Sequence, residues 1–448
     1  MKKVAFHNLG CKVNAYETDA MQQLLEERGY EVVPFAPGAD IYIINTCSVT
    51  NMADRKSRQM LHKAKKMNPG AIVVAAGCYV QAEGEALGED HAIDIIVGNN
   101  RKTELPEILA AYIEEREKNR SVGDDTEEAV SAVNDHASSF LLDINHTKEY
   151  ENLSVHRTAE HTRAYIKVQD GCNQFCSYCI IPYTRGRVRS RLQEDILREV
   201  ETLADAGYQE VVLTGIHLSS YGIDRKEEQG LMKLIQAIHE IPGIERIRLG
   251  SIEPRVVTEE FAKTLAGLPK LCPHFHLSLQ SGSDATLKRM NRKYTAEEFY
   301  ATCELLRRYF DRPALTTDVI VGFPQESEEE FAETKAFLEK VKFYETHIFK
   351  YSRRKGTPAA KMEGQILEET KTQRSHVLLE LNQRNREAYM EQFIGESVKV
   401  LFEEKIEREG QDCWTGHTMR YLRVTVPDHG QELGGKICDC ILRETDVE

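Results

Sequence analysis

The chain has 448 residues, of which 41% are hydrophobic and 29% charged, with a mean hydropathy of −0.47 and a formal net charge of −14 at pH 7. At roughly 150 residues per domain this length predicts about three domains and excludes a small stapled module, and the ordinary composition excludes wholesale disorder. No segment approaches the roughly 18 uninterrupted apolar residues of a membrane span, and the N-terminal MKKVAFHNLG has no signal-peptide core, so the expected setting is the cytoplasm with no membrane partner. Eleven cysteines in that reducing setting argue for metal binding or catalysis before disulfides.

The expected fold class is α/β, with an N-terminal parallel-sheet domain, a central partial (β/α)6 barrel and a small C-terminal antiparallel β-barrel. In residues 1–120, apolar runs such as VAFHNLG, IYIINTC, IVVAAGC and IDIIVGN alternate with helical stretches, the pattern of βαβ units on a parallel sheet. Residues 121–160 are polar and acidic with little periodicity and read as a linker. A second β/α series fills residues 161–385, with strands expected at AYIKVQDG, EVVLTG, RIRLGS, FHLSLQSG, TTDVIVG and HIFKYS. Six repeats fit a partly closed parallel barrel, with an open doubly wound sheet as the alternative. After a long polar helix ending near Gly395, residues 386–448 turn to alternating runs, the texture of a small antiparallel barrel of the kind used on oligonucleotides.

Two cysteine sets stand out. Cys172, Cys176 and Cys179 form C-x3-C-x2-C just past the first strand of the second series, at the strand edge where α/β folds gather their sites. Zinc sites usually pair C-x2-C with a second such pair, and none lies nearby. Three thiolates can instead hold three irons of a 4Fe-4S cluster and leave the fourth open to an outside ligand. Cys11, Cys47 and Cys78 are far apart in sequence, yet each ends an expected strand, so parallel neighbours would bring the three thiols to one sheet edge. Buried free thiols closing a strand are the plainer reading of each.

The chain is acidic overall, but its basic residues cluster. DRKSRQMLHKAKK (54–66) carries six Lys/Arg against one acid, and RGRVRSR (185–191) four against none. Arg185, Arg187, Arg189 and Arg191 are candidate phosphate contacts, or else a solvated face. Trp414 and Tyr421, interleaved with His417, Arg420 and Arg423, could stack on bases or simply fill a small core.

Taken with the motifs around them, these residues make the sequence resemble the radical S-adenosylmethionine methylthiotransferase family. The likeness is carried by LGCKVN, NTCSVT, GCYVQ, QDGCNQFCSYCIIP with RGRVRSR, LTGIHLSSYG, SLQSGSD, DVIVGFPQE and YSRRKGTPA, and it covers nearly the whole chain, including the terminal barrel known there as TRAM. It implies two 4Fe-4S clusters, one on Cys172, Cys176 and Cys179 with S-adenosyl-L-methionine at the open iron, and one on Cys11, Cys47 and Cys78 that supplies or carries sulfur. It implies hydrogen abstraction by a 5'-deoxyadenosyl radical and methylthiolation of an unactivated carbon. Cofactor contacts carried over by motif are Thr214, Gly215, Ser251, Glu253, Gln280, Ser281, Gly322 and Glu326, each of which could equally be turn chemistry. No catalytic residue beyond the cluster ligands is implied. The implied partners are tRNA and an electron donor such as flavodoxin or ferredoxin. The sequence is most similar to the branch acting on threonylcarbamoyladenosine beside the anticodon. The alternatives are the same chemistry on isopentenyladenosine or a ribosomal aspartate, a non-catalytic iron-sulfur RNA-binding protein, and a zinc-dependent RNA-binding protein.

Overall fold

In the N-terminal part of the chain, β1 (Lys3–Asn8), β2 (Glu31–Val33), β3 (Ile41–Thr46), β4 (Ile72–Gly77), β5 (Ile95–Val97) and β6 (Ser138–Phe140) form one sheet in the order β2-β1-β3-β4-β5-β6, every pair parallel. The computed structural model describes residues 1–122, 137–157 and 162–447. It divides into two units, Met1–His156 with Asp170–Asn173 and Cys179–Arg189, and Arg157–Gln169 with Gln174–Tyr178 and Ser190–Glu448.

In the first unit, β3 and β4 are buried along their whole length, as expected of strands covered on both faces. Alternate residues serve the two faces. Val4, Ile41, Ile43 and Val74 pack against Met21, Leu25 and Leu109 of helices Lys12–Glu27 and Leu105–Val122. Tyr42, Ile44, Val73 and Ala75 meet Leu61 and Ala64 of helix Asn51–Met67, whose first turn is capped by the Thr50 hydroxyl accepting from Ala53 N–H at 3.1 Å. Each fully buried Val, Ile, Leu or Met among these contributes about 1.5–3 kcal/mol relative to exposure.

The stretch read as a linker differs from expectation in its described part. Strand β6 extends the sheet beside β5, Ile144, Leu153 and Val155 are buried, and Leu153 C=O accepts from the Tyr16 hydroxyl at 2.6 Å. A three-residue strand among polar residues leaves no periodicity to read. Residues 123–136 and 158–161 of that stretch lie outside the described residues.

Further along the chain, β7 (Ala164–Asp170), β8 (Arg189–Ser190), β9 (Glu210–Gly215) and β10 (Arg246–Leu249) form a sheet in the order β10-β9-β7-β8, whose β9 is parallel to both β7 and β10. The strands β11 (His274–Gln280), β12 (Ala314–Val321) and β13 (Glu345–Lys350) form a second parallel sheet. Isolated parallel bridges Ile247↔Leu271 and Ile252↔Leu277 link the two sets. One face of these strands packs Phe275, Leu277, Leu315 and Val319 against helical residues including Phe299, Leu306 and Leu338. The other face carries polar side chains. Helix Glu368–Met390 follows, then β14 (Ser397–Arg408), β15 (Gln411–Thr418), β16 (Arg423–Pro427) and β17 (Ile437–Ile441), antiparallel in the order β16-β15-β14-β17. This is a curled sheet with β16 and β17 at its edges, a half-barrel where a closed one was expected.

Arg246 and Arg248 on β10 fasten the terminal sheet to the polar face. Arg246 donates to Lys399 and His417 C=O at 2.8 and 2.9 Å, and Arg248 to Met419 and Thr418 C=O at 3.0 and 3.1 Å, while Glu210 receives Arg248 Nε at 2.7 Å. Among the described residues no helix is long and apolar enough to cross a membrane.

Candidate functional site

Cys47 directly follows β3, Cys78 directly follows β4, and Cys11 lies three residues past β1. Because β1, β3 and β4 are consecutive parallel neighbours, with Asn8↔Asn45 and Thr46↔Gly77 in register, the three thiols leave the same edge of one sheet. Gly10 and Gly77, each preceding a cysteine, have φ of +117° and +96°. A Cβ on Gly10 would lie 3.1 Å from Cys47 Sγ, and one on Gly77 would lie 2.6 Å from both Asn45 Oδ1 and Thr46 O. Only glycine fits either place.

Behind the thiols lies a buried charged network within the same unit. Arg185 donates to Glu17 at 2.7 and 2.9 Å, to Asp170 at 3.2 Å, to Asn14 Oδ1 at 2.7 Å and, through Nε, to Cys78 Sγ at 3.2 Å. Lys102 meets Glu17 at 2.8 Å and Asn99 Oδ1 at 2.7 Å, and Arg189 lies 3.7 Å from Asp170. Asn99 adds a longer donor to Cys78 Sγ at 3.6 Å. Three buried cations thus face two carboxylates, and Arg189 Nε and Nη2 are buried without a hydrogen-bond acceptor. A thiolate-bound anionic group held by Cys11, Cys47 and Cys78 would restore the balance. Cys47's thiol is pushed up to about 11, first by burial and further by the nearby Cys78 and Cys11 sulfurs, so metal binding there must release its proton.

The donor set also discriminates between metals. Soft thiolates beside surplus buried positive charge fit an iron-sulfur cluster.

The second cysteine set follows β7. Gly171, at φ +72°, lets the chain pass so close to Arg187 that a Cβ would lie 1.8 Å from its carbonyl oxygen, and Cys172 N–H donates to Gly186 C=O at 3.0 Å. In the other unit, Cys176 Sγ accepts from Arg292 Nη1 at 3.3 Å, and its flanking residues are clamped by Asn291 Nδ2 on Phe175 C=O at 2.9 Å and by Ser177 N–H on Met290 C=O at 3.0 Å.

The Radical SAM superfamily model matches residues 166–338, and Uncharacterized protein family UPF0004 matches residues 3–98. A threonylcarbamoyladenosine tRNA methylthiotransferase MtaB of Bacillus subtilis (strain 168) is 41% identical over 438 residues, 98% of this chain and 93% of that protein. A protein of the same name from Aquifex aeolicus is 42% identical, covering 89% of this chain and 92% of its own. A tRNA-2-methylthio-N(6)-dimethylallyladenosine synthase of Ehrlichia canis is 38% identical over 90% of this chain and 89% of its own. The chain belongs to the radical S-adenosylmethionine methylthiotransferase family. Among solved structures, the radical S-adenosylmethionine methyltransferase TsrM of Kitasatospora setae, with cobalamin and a 4Fe-4S cluster bound, superposes with a TM-score of 0.57 over 80% of this chain and 77% of that one. At 18% identity that likeness is one of fold.

Other sequence-derived candidates of this methylthiotransferase fall into two groups. Thr214 and Gly215 end β9, Ser251 follows β10 and bonds Ser278 Oγ at 2.6 Å, and Glu253 is buried beside Gln174 Nε2 at 3.4 Å and His217 Nε2 at 3.6 Å. These four are strand-exit residues on the unit's polar side. Gln280 ends β11 at φ +72°. Ser281 is spent on Thr334 Oγ1 and Ser283 N–H, and Glu326 on Gly322 N–H and Arg374, both at 2.6 Å. Burial raises Glu326's pKa despite those two partners. A Cβ on Gly322 would meet Lys371 Cγ at 2.2 Å. Ser281, Gly322 and Glu326 therefore shape the loops.

The arginine run is corrected by the structure. Arg185, Arg189 and Arg191 are at most 2% exposed, the last paired with buried Glu199; only Arg187 is exposed. Trp414 is a core residue whose Nε1 donates to Gln431 C=O at 3.0 Å, and Tyr421 is stacked between His274 and His417 with Arg248 and Arg163 over its ring. Neither offers a free face for a base. The sequence reading missed Glu17, Asp170, Lys102 and Arg292. The polar residues Lys167, Gln169 and Asp170 within the strand AYIKVQD were the available signal.

Proposed function

We propose that this protein is a radical S-adenosylmethionine tRNA methylthiotransferase acting on carbon 2 of N6-threonylcarbamoyladenosine next to the anticodon, in the cytoplasm. The observation that carries the reading is the convergence of Cys11, Cys47 and Cys78 at one sheet edge over a cation-rich buried network, in a chain that also holds C-x3-C-x2-C. Support for the substrate comes from the threonylcarbamoyladenosine enzymes among its relatives, at 41% and 42% identity.

Cys172, Cys176 and Cys179 would hold one 4Fe-4S cluster and Cys11, Cys47 and Cys78 the other. When bound, the two clusters with S-adenosyl-L-methionine supply the radical and the sulfur that acid-base groups cannot. The chain's own residues do the rest. Arg185 and Arg292 each donate an N–H to a ligand sulfur, which disperses thiolate charge and fixes side-chain orientation. Thr214, Gly215, Ser251 and Glu253, with Gln280, sit where strand exits present polar groups, suited to the amino and carboxylate ends of S-adenosylmethionine. The six long parallel strands of the second unit are read as a partly closed (β/α)6 barrel, and the terminal half-barrel as a TRAM domain. Of the arginine run only Arg187 remains a phosphate contact. A small electron-transfer protein such as flavodoxin or ferredoxin would deliver the reducing electron.

Anaerobically reconstituted protein is expected to hold two clusters' worth of iron, to form 5'-deoxyadenosine on reduction with S-adenosylmethionine, and to convert threonylcarbamoyladenosine in tRNA to its 2-methylthio derivative. A strain lacking the gene that retained that nucleoside would overturn the substrate. Reduced, cluster-loaded protein yielding no 5'-deoxyadenosine would overturn the enzyme reading.

A further inference from the structure

Apart from the cysteines, one cluster of ligating side chains among the described residues stands on the polar face of the β11-β12-β13 sheet. Phe275, Leu277, Leu315 and Val319 point into the helix-covered core, so the alternate residues His276 and Asp318 must point the other way. His347 is the register partner of Asp318 on β13 and shares that face. Strands β11 and β13 flank β12 and are therefore roughly 9.6 Å apart. Their two imidazoles nevertheless stack with centroids 5.7 Å apart at 28°, both rings leaning over the middle strand.

We infer that His276, Asp318 and His347 form a binding site for a first-row divalent metal ion, zinc being the probe of choice. One ligand atom from each lies within 4.8 Å of the other two, and His276 Nε2 is 3.2 Å from Asp318 Oδ2. Two ligands on a tetrahedral zinc at 2.0–2.1 Å are about 3.3 Å apart, so that spacing needs almost no adjustment. The support around the ligands is also of the right kind. His276 Nδ1 bonds Thr316 Oγ1 at 3.0 Å, which orients the ring with Nε2 toward Asp318. His347 is exposed, and its nitrogens make no hydrogen bond among the described residues, so it can turn a lone pair inward. Two imidazoles and one carboxylate suit zinc and its neighbours, whereas calcium or magnesium would demand more oxygen. Three protein ligands leave the ion one position for water or an oxyanion.

This inference rests on side-chain geometry and does not depend on the proposed tRNA chemistry. The test uses full-length protein with its iron-sulfur sites loaded, so that the cysteines are occupied, equilibrated with zinc chloride and freed of excess over a chelating resin. About one zinc per chain is expected to remain, and zinc X-ray absorption should show nitrogen and oxygen near 2.0–2.1 Å with no sulfur near 2.3 Å. Asp318→Asn and the surface variant His347→Ala should each lower zinc affinity at least tenfold with iron content and melting temperature unchanged for His347→Ala. A sulfur shell around zinc, or unaltered retention by His347→Ala, would overturn the assignment. Because the readout is zinc, a failure here leaves methylthiolation untouched, and a failure of methylthiolation leaves this result standing.

Discussion

Arg185 carries more of the candidate site than any other single side chain. Its guanidinium is fully buried and divides its donors among Glu17, Asp170, Asn14 and the Cys78 sulfur. Arg185→Met removes the guanidinium that bonds both buried carboxylates, leaving Glu17 to Lys102 and Asp170 to the 3.7 Å approach of Arg189, and stripping one partner from such a network costs about 3–5 kcal/mol. The expected outcome is a lower urea midpoint together with loss of the N-terminal cluster's share of iron. Arg185→Lys should recover part of the stability, because a point charge replaces the charge and not the fork. A Met variant as stable and as iron-rich as the parent would show the guanidinium to be dispensable. Gly77→Ala is expected to act without changing any charge: at φ +96° the new Cβ meets Asn45 Oδ1 and Thr46 O at 2.6 Å, so the turn must open and Cys78 must move. Iron analysis should again show loss of one cluster, this time with cysteines and arginines all in place.

At the scale of elements, the junction of β9 and β10 with the terminal sheet is the clearest stability device. Burial would raise the Glu210 carboxyl, but Arg248, with Arg163 and Arg246, holds it below the ordinary carboxylate range. A carboxylate lowered in the folded state contributes stability at pH above its unfolded value, near about 4.3, and that contribution is lost as pH falls through the folded value. Glu210→Gln should therefore cost about 3–5 kcal/mol at neutral pH, and the gap between parent and variant should close as the pH is taken below about 4. Denaturant midpoints measured across that range decide it; a gap independent of pH would mean the pair contributes by shape alone. The same junction shows what a sequence can disclose. The long parallel strands were legible as apolar runs closed by turn residues, and the three N-terminal cysteines because strand ends are, whereas β15 (Gln411–Thr418), with no apolar run of its own, was not read. The burial of the arginine run was not, since Arg185's carboxylate Glu17 lies 168 positions away and alternate arginines read locally as a wet edge. Strand β6 was invisible for the opposite reason, being three residues, Ser138–Phe140, held by a neighbour rather than by any pattern of its own.

For the molecule as a whole, a net charge of −14 repels nucleic acid, so attraction to tRNA must come from a local excess of exposed cations. Burial removes Arg185, Arg189 and Arg191 from that supply. Helix Asn51–Met67 keeps its supply, because Asp54, Ser57, Leu61 and Ala64 form its buried stripe and Arg55, Lys56, Arg58, Lys63 and Lys66 are left on exposed positions. If this face meets the phosphate backbone, each contact releases counterions, and a fourfold rise in salt should weaken binding by about three- to fourfold per phosphate engaged. Lys56→Ala combined with Lys63→Ala should thus lower tRNA affinity most at 50 mM salt, with the parent's advantage shrinking by about tenfold on going to 200 mM. Both side chains are exposed, so melting temperature should not change. Filter binding or fluorescence anisotropy across that salt range measures the slope directly. An unchanged slope would take the helix out of the RNA surface and leave the exposed Arg187 as the cation of the 185–191 run to test next, whereas a slope that flattens by the amount of two contacts would fix where an acidic protein grips an acidic substrate.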